Sequence, residues 1–494
     1  MQLAMIKHAS TAEQEAIYNA ARSGESVKVK AYAGAAKTST AAGVGERLPD
    51  AVGLFCAFGK DTQLDASKRM PPNIACRTFH SLAFEMMEVR KRYGHKLANY
   101  IGVPPKKLAR MIGLDQSEDI GIAAVKETLR YFMSGTDPYL TERNVPQRAV
   151  ASFDKRDRDE ARRTIAIAAR KLWFMITDER RRDVAMIPDA YLKLWHSEGG
   201  RLPFDPALIL IDESQDLNPI NLALVERWRG QKLYFGDDHQ QIFQFRGAVN
   251  ALSRVDTPIT LCLTQSFRFG EAIAEAANAL LEMKGLDLPP LRGNPDRKSD
   301  LRWDDPVGRH TILCRTNMGL MDETLALIRA GKTVCVVGNI SDALKMLESA
   351  WWLYMEKMDK VKHDAIKLLG DWESLVEQAD GSHELKLVAQ RVERYQGEIP
   401  ALVEDMKGAG SNRPKDADVI ISTAHKAKGL EWDTVKLADD FPDPMRWDKK
   451  EEKWKVREDE LNLLYVAATR ARYTLHGNNV LKLAIASRDF DKAA

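Results

Sequence analysis

No stretch of this 494-residue chain approaches the roughly 20 consecutive apolar residues that a membrane span requires. The opening MQLAMIKHAS lacks the apolar centre of a secretory leader. A chain in contact with neither membrane nor export machinery is expected, cytoplasmic and, in a prokaryote, nucleoid-associated. No CxxC pair occurs among the five cysteines Cys56, Cys76, Cys262, Cys314 and Cys335. Each sits in a short apolar run, so buried free thiols are expected rather than disulfides or a zinc site. Excess charge of one sign is also missing. Lys plus Arg number 73 and Asp plus Glu 71, a net +2, which excludes a globally basic nucleic-acid coat but not a local basic stripe. Low-complexity tracts, fixed-period repeats and long Gly/Ser linkers are absent, so domains are expected to interrupt one another. An apolar content of 44% with 29% charged residues excludes wholesale disorder.

What is present is a series of short apolar runs, each followed by polar or Gly-containing residues and a helical pattern. They include SVKVKAYAG, VGLFCAFG, PALILIDES, KLYFGDD, HTILCRTN, KTVCVVGN and ADVIISTAH. Continuous apolar strands alternating with helices predict parallel sheets covered on both faces. The runs fall into two sets, residues 25–80 with 205–265 and 310–340 with 418–475. That spacing predicts two α/β cores, each split by an insertion. The first insertion, about 90–200, reads as helical, with Ile165, Ala169, Leu172 and Ile176 at helical spacing. It carries 22 Lys/Arg against 15 Asp/Glu, a bias that suits either a solvated helical surface or a phosphate-facing one. The second insertion, about 351–411, opens with WWLYMEKM and continues in helical pattern to a GAGSNRP turn. Its Trp351–Trp352 pair is expected to pack rather than to stack on bases.

The clearest chemistry lies in AYAGAAKTST, residues 31–40. A strand runs into a small-residue loop, then Lys37 and Thr38, then a helix. Small residues let backbone N–H groups close around phosphate oxygens, Lys37 reaches the β/γ-phosphates, and the Thr38 hydroxyl can ligate Mg²⁺. Ala31 and Ala36 occupy both glycine positions of GxxxxGK[ST], so alone the segment also fits a generic Ala-rich turn. The second part is LILIDESQD, 208–216, where an apolar strand ends in Asp212 and Glu213. Carboxylates at the C-terminal edge of a parallel strand are placed to hold the metal, Asp212, and to polarise an attacking water, Glu213. Together the two segments predict a phosphoanhydride hydrolase using Mg²⁺.

In order along nearly the whole chain, these motifs resemble those of UvrD/Rep/PcrA-type DNA helicases of superfamily 1, and look most like the F-box DNA helicase branch without an F-box segment. STAEQEAI resembles the family's Q motif and makes Gln14 the expected adenine reader. AGAAKTST is similar to the phosphate loop, with Ala33, Gly34, Ala35, Ala36, Lys37, Thr38 and Ser39 around the phosphates. Ala36 departs from the family's usual glycine, and its methyl would crowd the nucleotide or alter turnover. FCAFGK and RTFHSLAF resemble DNA-contacting motifs, which implies Phe58, Lys60, Thr78 and His80 on single-stranded DNA. In DESQD, Gln215 would link the γ-phosphate to neighbouring motifs. GDDHQQIFQFRGA is similar to the coupling motif, with Gln240 as γ-phosphate sensor, Phe245 stacking on a base and Arg246 beside it. LTQSFRFG places Phe267 on adenine and Arg268 as an arginine finger. STAHKAKGLEWD implies His425 on DNA and Glu431 on the nucleotide sugar. DELNLLYVAATRAR implies Arg470 as a second γ-phosphate arginine, with Tyr465 nearby.

The resemblance implies an α/β fold of two RecA-like parallel-sheet motor domains, each interrupted by a mostly helical insertion. The first motor domain would comprise 1–89 and 201–263, and the basic insertion 90–200. The second would comprise 264–350 and 412–494, with a reduced accessory insertion at 351–411. Arg268 and Arg470 would then come from the second core, and Lys37, Thr38, Asp212 and Glu213 from the first. The implied activity is ATP-driven movement along single-stranded DNA, 3′→5′, with duplex unwinding at single-strand/duplex junctions, in repair, recombination or replication. Three other readings stay open. One is a slow-turnover ATP-gated DNA clamp or filament remodeller, another an RNA-directed motor, and the third a motor subunit of a larger defence or repair complex. Protein partners leave no readable signature.

Overall fold

The computed structural model describes residues 9–114, 121–151, 153–242, 251–285, 289–338, 340–379, 383–448 and 452–493. The chain divides into two compact units: residues through Ala31 with Ala36–Leu263, and Tyr32–Ala35 with Thr264 onward.

The first unit is built on a six-stranded sheet of β1 (Val27–Ala31), β2 (Gly53–Ala57), β3 (Ile74–Thr78), β4 (Leu208–Ile211), β5 (Gln231–Gly236) and β6 (Ile259–Leu263). Its strand order is β3-β2-β4-β5-β1-β6, and every pairing is parallel. The second unit carries β7 (Asp300–Arg302), β8 (His310–Cys314), β9 (Val334–Val337), β10 (Val419–Thr423), β11 (Trp432–Leu437), an antiparallel hairpin β12 (Met445–Asp448) and β13 (Lys453–Val456), and β14 (Ala471–His476). Its parallel sheet runs β7-β14-β11-β8-β10-β9. The recurring apolar runs predict two parallel α/β sheets, and each of the two has six strands.

In β2 and β4 every residue is buried, as a strand covered on both faces requires. The edge strands β3 and β6 alternate or dilute that pattern, which is why their cysteines differ from expectation. All five thiols are free and lie on strands, but Cys76 on β3 and Cys262 on β6 are only half-buried, whereas Cys56, Cys314 and Cys335 are buried. Among the described residues, no helix is long and apolar enough to cross a membrane.

Between β3 and β4 lie the helices Phe79–Met86, Val89–Tyr93, Pro105–Ile112, Ile122–Ser134, Arg158–Thr177 and Pro188–Ser197. Ile165, Ala169, Leu172 and Ile176 of Arg158–Thr177 are all fully buried. Leu129, Phe132, Leu172 and Trp195 from these helices join Leu54, Cys56, Ile209 and Ile211 of the sheet in one apolar core, so the helices are anchored on the sheet rather than tethered to it. The second unit follows the same plan. Helix Ser341–Tyr354 runs straight through the expected boundary at residue 351. Trp351, Leu375, Val392, Val403 and Met406 share a core with Ile312, Val336 and Ile421. Trp351 packs as expected, whereas helix Ile399–Ser411 continues through the glycines read as a turn. A helix interior tolerates them because tertiary packing outweighs their roughly 1 kcal/mol propensity deficit.

Candidate functional site

The strand order of the first sheet lines up its candidate residues along one edge. Moving across the C-terminal ends, β3 and β2 lead to Thr78 and Phe58, β4 to Asp212, β5 to Asp237 and β1 to the loop before Lys37. Because adjacent strands are about 4.8 Å apart, β4, β5 and β1 bring residues far apart in sequence into contact range.

At the centre, Lys37 Nζ lies 3.1 Å from Glu213 Oε1. Lys37 opens the helix Lys37–Arg47, and its side chain is largely enclosed. Burial alone would disfavour the ammonium, but the carboxylates of Glu213, Asp212 and Asp237 outweigh it and hold Lys37 above the ordinary lysine range. The Glu213 backbone is left-handed, φ 49°, and its N–H donates to Asp212 Oδ1 at 3.0 Å. Gln215 Nε2 donates to Glu213 Oε2, and Gln215 Oε1 accepts from the Asp237 N–H at 3.0 Å. Gln240 Nε2 donates to Asp237 Oδ2 at 2.7 Å. Gly236 has a steric reason to be glycine: a Cβ there would lie 2.5 Å from Gln215 Oε1. Burial pushes Asp237 upward, and Lys37 and the Gln240 amide oppose that push.

Sequence reasoning assigned Gln215 and Gln240 but missed Asp237, the residue that joins them. Its signal was the one used for Asp212, a carboxylate just past an apolar strand, here KLYFGDD. Three carboxylates facing one ammonium leave negative charge that a divalent cation would balance. Among the described residues, no group of three or more His, Cys, Asp or Glu side chains is arranged to hold a metal by itself. A carboxylate and a hydroxyl oxygen suit Mg²⁺, which binds through one or two protein oxygens and completes its shell with water and phosphate. Asp212 and Thr38, the second residue of the helix, are the candidates.

Gln14 is buried, and both ends of its side chain are engaged. Its Oε1 accepts from the Thr11 N–H at 3.0 Å in a capping box, and its Nε2 donates to Thr40 Oγ1 at 3.0 Å. The structure thus ties the helix Ala12–Arg22 to the phosphate-loop helix through the residue expected to read adenine. Ala36 adopts φ 56°, the left-handed turn glycine would take freely.

At the β2/β3 end, Phe58 is 41% exposed, enough of its ring to meet a base, and Lys60 is exposed. Thr78 Oγ1 caps the following helix by accepting from the Ser81 N–H at 3.1 Å. His80 Nε2 lies 3.1 Å from Asp189. Phe245 and Arg246 lie outside the described residues.

In the second unit, the segment Tyr32–Ala35 is held by residues distant in sequence. The Phe267 N–H donates to the Gly34 carbonyl at 2.8 Å, and the Ala33 N–H donates to Tyr465 Oη at 3.1 Å. Gly34 has φ +74°, and a Cβ on it would fall 2.4 Å from Ser266 Oγ and 2.8 Å from Arg268 Cβ, so no larger residue fits. Arg268 donates through Nε to Glu431 Oε2 at 2.8 Å and through Nη1 to the Thr469 carbonyl at 3.0 Å. Glu431 also lies 3.8 Å from Arg472. Arg470 is almost fully buried, with Nε donating to the Val466 carbonyl at 2.9 Å. Arg268 and Glu431, given separate tasks in the sequence reading, are therefore partners, and Arg470 is bonded to the end of the helix that precedes it. Phe267 and His425 are half-buried, His425 following β10 in the short helix Ala424–Ala427.

Residues 61–254 match the family described as UvrD/REP helicase N-terminal domain, and residues 346–476 match the UvrD-like helicase C-terminal domain. The chain belongs to the UvrD-like helicases. It is 32% identical over 512 residues to F-box DNA helicase 1 of Gallus gallus, an alignment that covers 97% of this chain and 50% of the relative. Identity to F-box DNA helicase protein 1 of Schizosaccharomyces pombe is 29% over 503 residues, covering 93% of this chain and 56% of the relative. A 133-residue stretch, 25% of this chain, is 33% identical to DNA helicase II of Salmonella typhimurium and spans 17% of it. The chain therefore spans about half the length of the two F-box relatives. The two sheets are the pair of RecA-like cores of a UvrD-like helicase.

Proposed function

We propose that this chain is an ATP-dependent DNA helicase that moves along single-stranded DNA. The observation that carries the reading is the Lys37–Glu213 pair, 3.1 Å apart, with Asp212 and Asp237 beside it at the C-terminal ends of adjacent parallel strands. In that arrangement Lys37 exchanges a carboxylate for the β/γ-phosphates. Glu213, released from Lys37, orients the attacking water, and Gln240 and Gln215 transmit the state of the site through Asp237. Mg²⁺ held by Asp212 and Thr38 would supply neutralisation of the charge developing on the phosphoryl oxygens. Arg268 and Arg470 are assigned to the γ-phosphoryl oxygens, which requires Arg268 to leave Glu431 and Arg470 to leave the Val466 carbonyl. Glu431, released by Arg268, is assigned to the nucleotide sugar. Phe267 and Gln14 are assigned to adenine.

On the DNA side, Phe58, Lys60, Thr78, His80 and His425 are assigned to a single strand, together with Phe245 and Arg246. Exposed Phe58 offers sequence-tolerant stacking. Junctions between single and double strands are the proposed substrates and 3′→5′ the proposed direction, both supported by the family resemblance. Repair, recombination or replication is the proposed setting.

Steady-state ATP hydrolysis with and without a single-stranded DNA oligonucleotide, alongside Glu213→Gln, tests the reading. Strong stimulation that the variant loses is expected. Negligible turnover with DNA still bound would transfer the assignment to an ATP-gated clamp, and stimulation by RNA but not DNA would change the substrate.

A further inference from the structure

The hairpin β12–β13 carries a feature that none of the motifs uses. Trp447 and Trp454 stand directly opposite each other across the two strands. Their ring centroids are 5.6 Å apart at an interplanar angle of 70°. They are 45% and 61% exposed, so much of both indoles faces solvent. Residues opposed across an antiparallel pair share a face, so Met445 and Val456 lie on the Trp side and Arg446, Asp448, Lys453 and Lys455 on the other.

A two-stranded ribbon is marginal by itself, and this one is firmly mounted. The Arg457 N–H donates to the Pro444 carbonyl at 2.7 Å, and its guanidinium donates to the Asp443 carbonyl, which closes the base. Just upstream, Asp440 accepts from the N–H groups of Arg315 and Thr316 at 2.7 and 2.8 Å. Arg315 in turn makes a two-pronged pair with Glu460 at 2.6 and 2.8 Å. The hairpin thus leaves the same sheet edge as Arg315, after β8, and His425, after β10, since β8 lies between β11 and β10.

We propose that this hairpin is a nucleobase-stacking element that holds single-stranded DNA. The charge pattern selects that occupant. In the described part of the hairpin, residues 446–448 and 452–457, four cations, Arg446, Lys453, Lys455 and Arg457, stand against two carboxylates, Asp448 and Glu452. Flat aromatic faces on one side of the ribbon and surplus cations on the other suit a polyanion with planar bases, which gains from stacking and from release of counterions together. The choice of DNA rests on the function proposed above, which assigns His425 on the same edge to the strand.

The test compares the full chain with Trp447→Ala/Trp454→Ala and Trp447→Phe/Trp454→Phe. Binding of a labelled oligothymidylate is followed by anisotropy, and ATP hydrolysis is measured without DNA. The alanine pair is expected to weaken DNA binding by about tenfold or more, and the phenylalanine pair to stay within about threefold. DNA-free hydrolysis is expected to be unchanged in both. Wild-type affinity in the alanine pair overturns the inference while leaving the motor reading intact. Weakened binding together with a wild type that DNA does not stimulate sinks the motor reading and leaves the hairpin assignment standing. Should the alanine pair instead abolish a concentration-dependent dimer in sedimentation without changing DNA affinity, the face belongs to a second copy of the chain and the DNA assignment falls.

Discussion

Arg268 and Glu431 illustrate how a charged pair can be a stored contact rather than a structural one. Their 2.8 Å bond is partly exposed, and such pairs contribute little to folding. Arg268→Ala should therefore leave thermal stability close to wild type and ATP binding nearly intact while cutting turnover by about 100-fold or more. Turnover within a few-fold of wild type would remove Arg268 from the γ-phosphoryl assignment. His196 is a different case. It is buried in the first unit, and neither ring nitrogen has a hydrogen-bond partner among the described residues. Burial, then the nearby Arg227 and Lys193, push its pKa down to about 4. A depressed folded-state value means the unfolded chain takes up the proton first. The stabilising contribution of neutral His196 is thus complete above about pH 6.5 and is lost as pH falls toward 4. The melting temperature of the wild type should drop between pH 7 and 4.5 by at least roughly 2–4 °C more than that of His196→Phe. Equal drops would mean that another group carries the acid sensitivity.

The helix Lys37–Arg47 begins after an alanine in a left-handed turn, a conformation that costs a non-glycine residue about 1 kcal/mol. Ala36→Gly should keep or raise turnover, and its folded backbone should be relieved of about that strain. A marked loss of hydrolysis would mean that the Ala36 methyl makes a contact the nucleotide needs. At this scale the sequence was readable where strands are buried on both faces. VGLFCAFG and PALILIDES announce β2 and β4 because every position is apolar. The edge strand β3 contains Arg77, and β14 alternates as ARYTLH, so neither stands out as an apolar run. The hairpin β12–β13 was missed because WDKKEEKWK reads as a charged loop. Its alternation becomes visible only once Trp447 is known to face Trp454. Within the site, Lys37, Asp212 and Glu213 lie where parallel strand ends converge. What a motif cannot express is which groups bond one another, as with Asp237 between Gln215 and Gln240, or Tyr465 on the Ala33 N–H.

For the molecule as a whole, charge is distributed unevenly. A net +2 conceals a surplus of seven cations in residues 90–200, where 22 Lys/Arg meet 15 Asp/Glu. Its longest helix turns Arg163, Ile167, Arg170 and Phe174 to solvent. If DNA binds there, affinity should fall by about tenfold or more between roughly 50 and 200 mM salt. A flat salt response would make that surplus a solvated surface only. Two core-forming halves were legible from the recurring strands. The continuity of each core with its insertion was not, because it depends on contacts between helices and sheet that no periodicity encodes.

The interrupted order of the first sheet also dictates when its parts can assemble during synthesis. β2 and β3 are sequential neighbours and can pair early, but β1 lies between β5 and β6. Ribosomes add about 5–20 residues per second, so the strand that leads into the phosphate loop waits on the order of ten seconds or more for residues 231–263. Throughout that interval its buried valines, Val27 and Val29, have no strand beside them. A nascent chain halted before residue 231 would present an unpaired apolar edge of the kind that chaperones cover, and ATP could not rescue it, since the site that would bind the nucleotide does not yet exist.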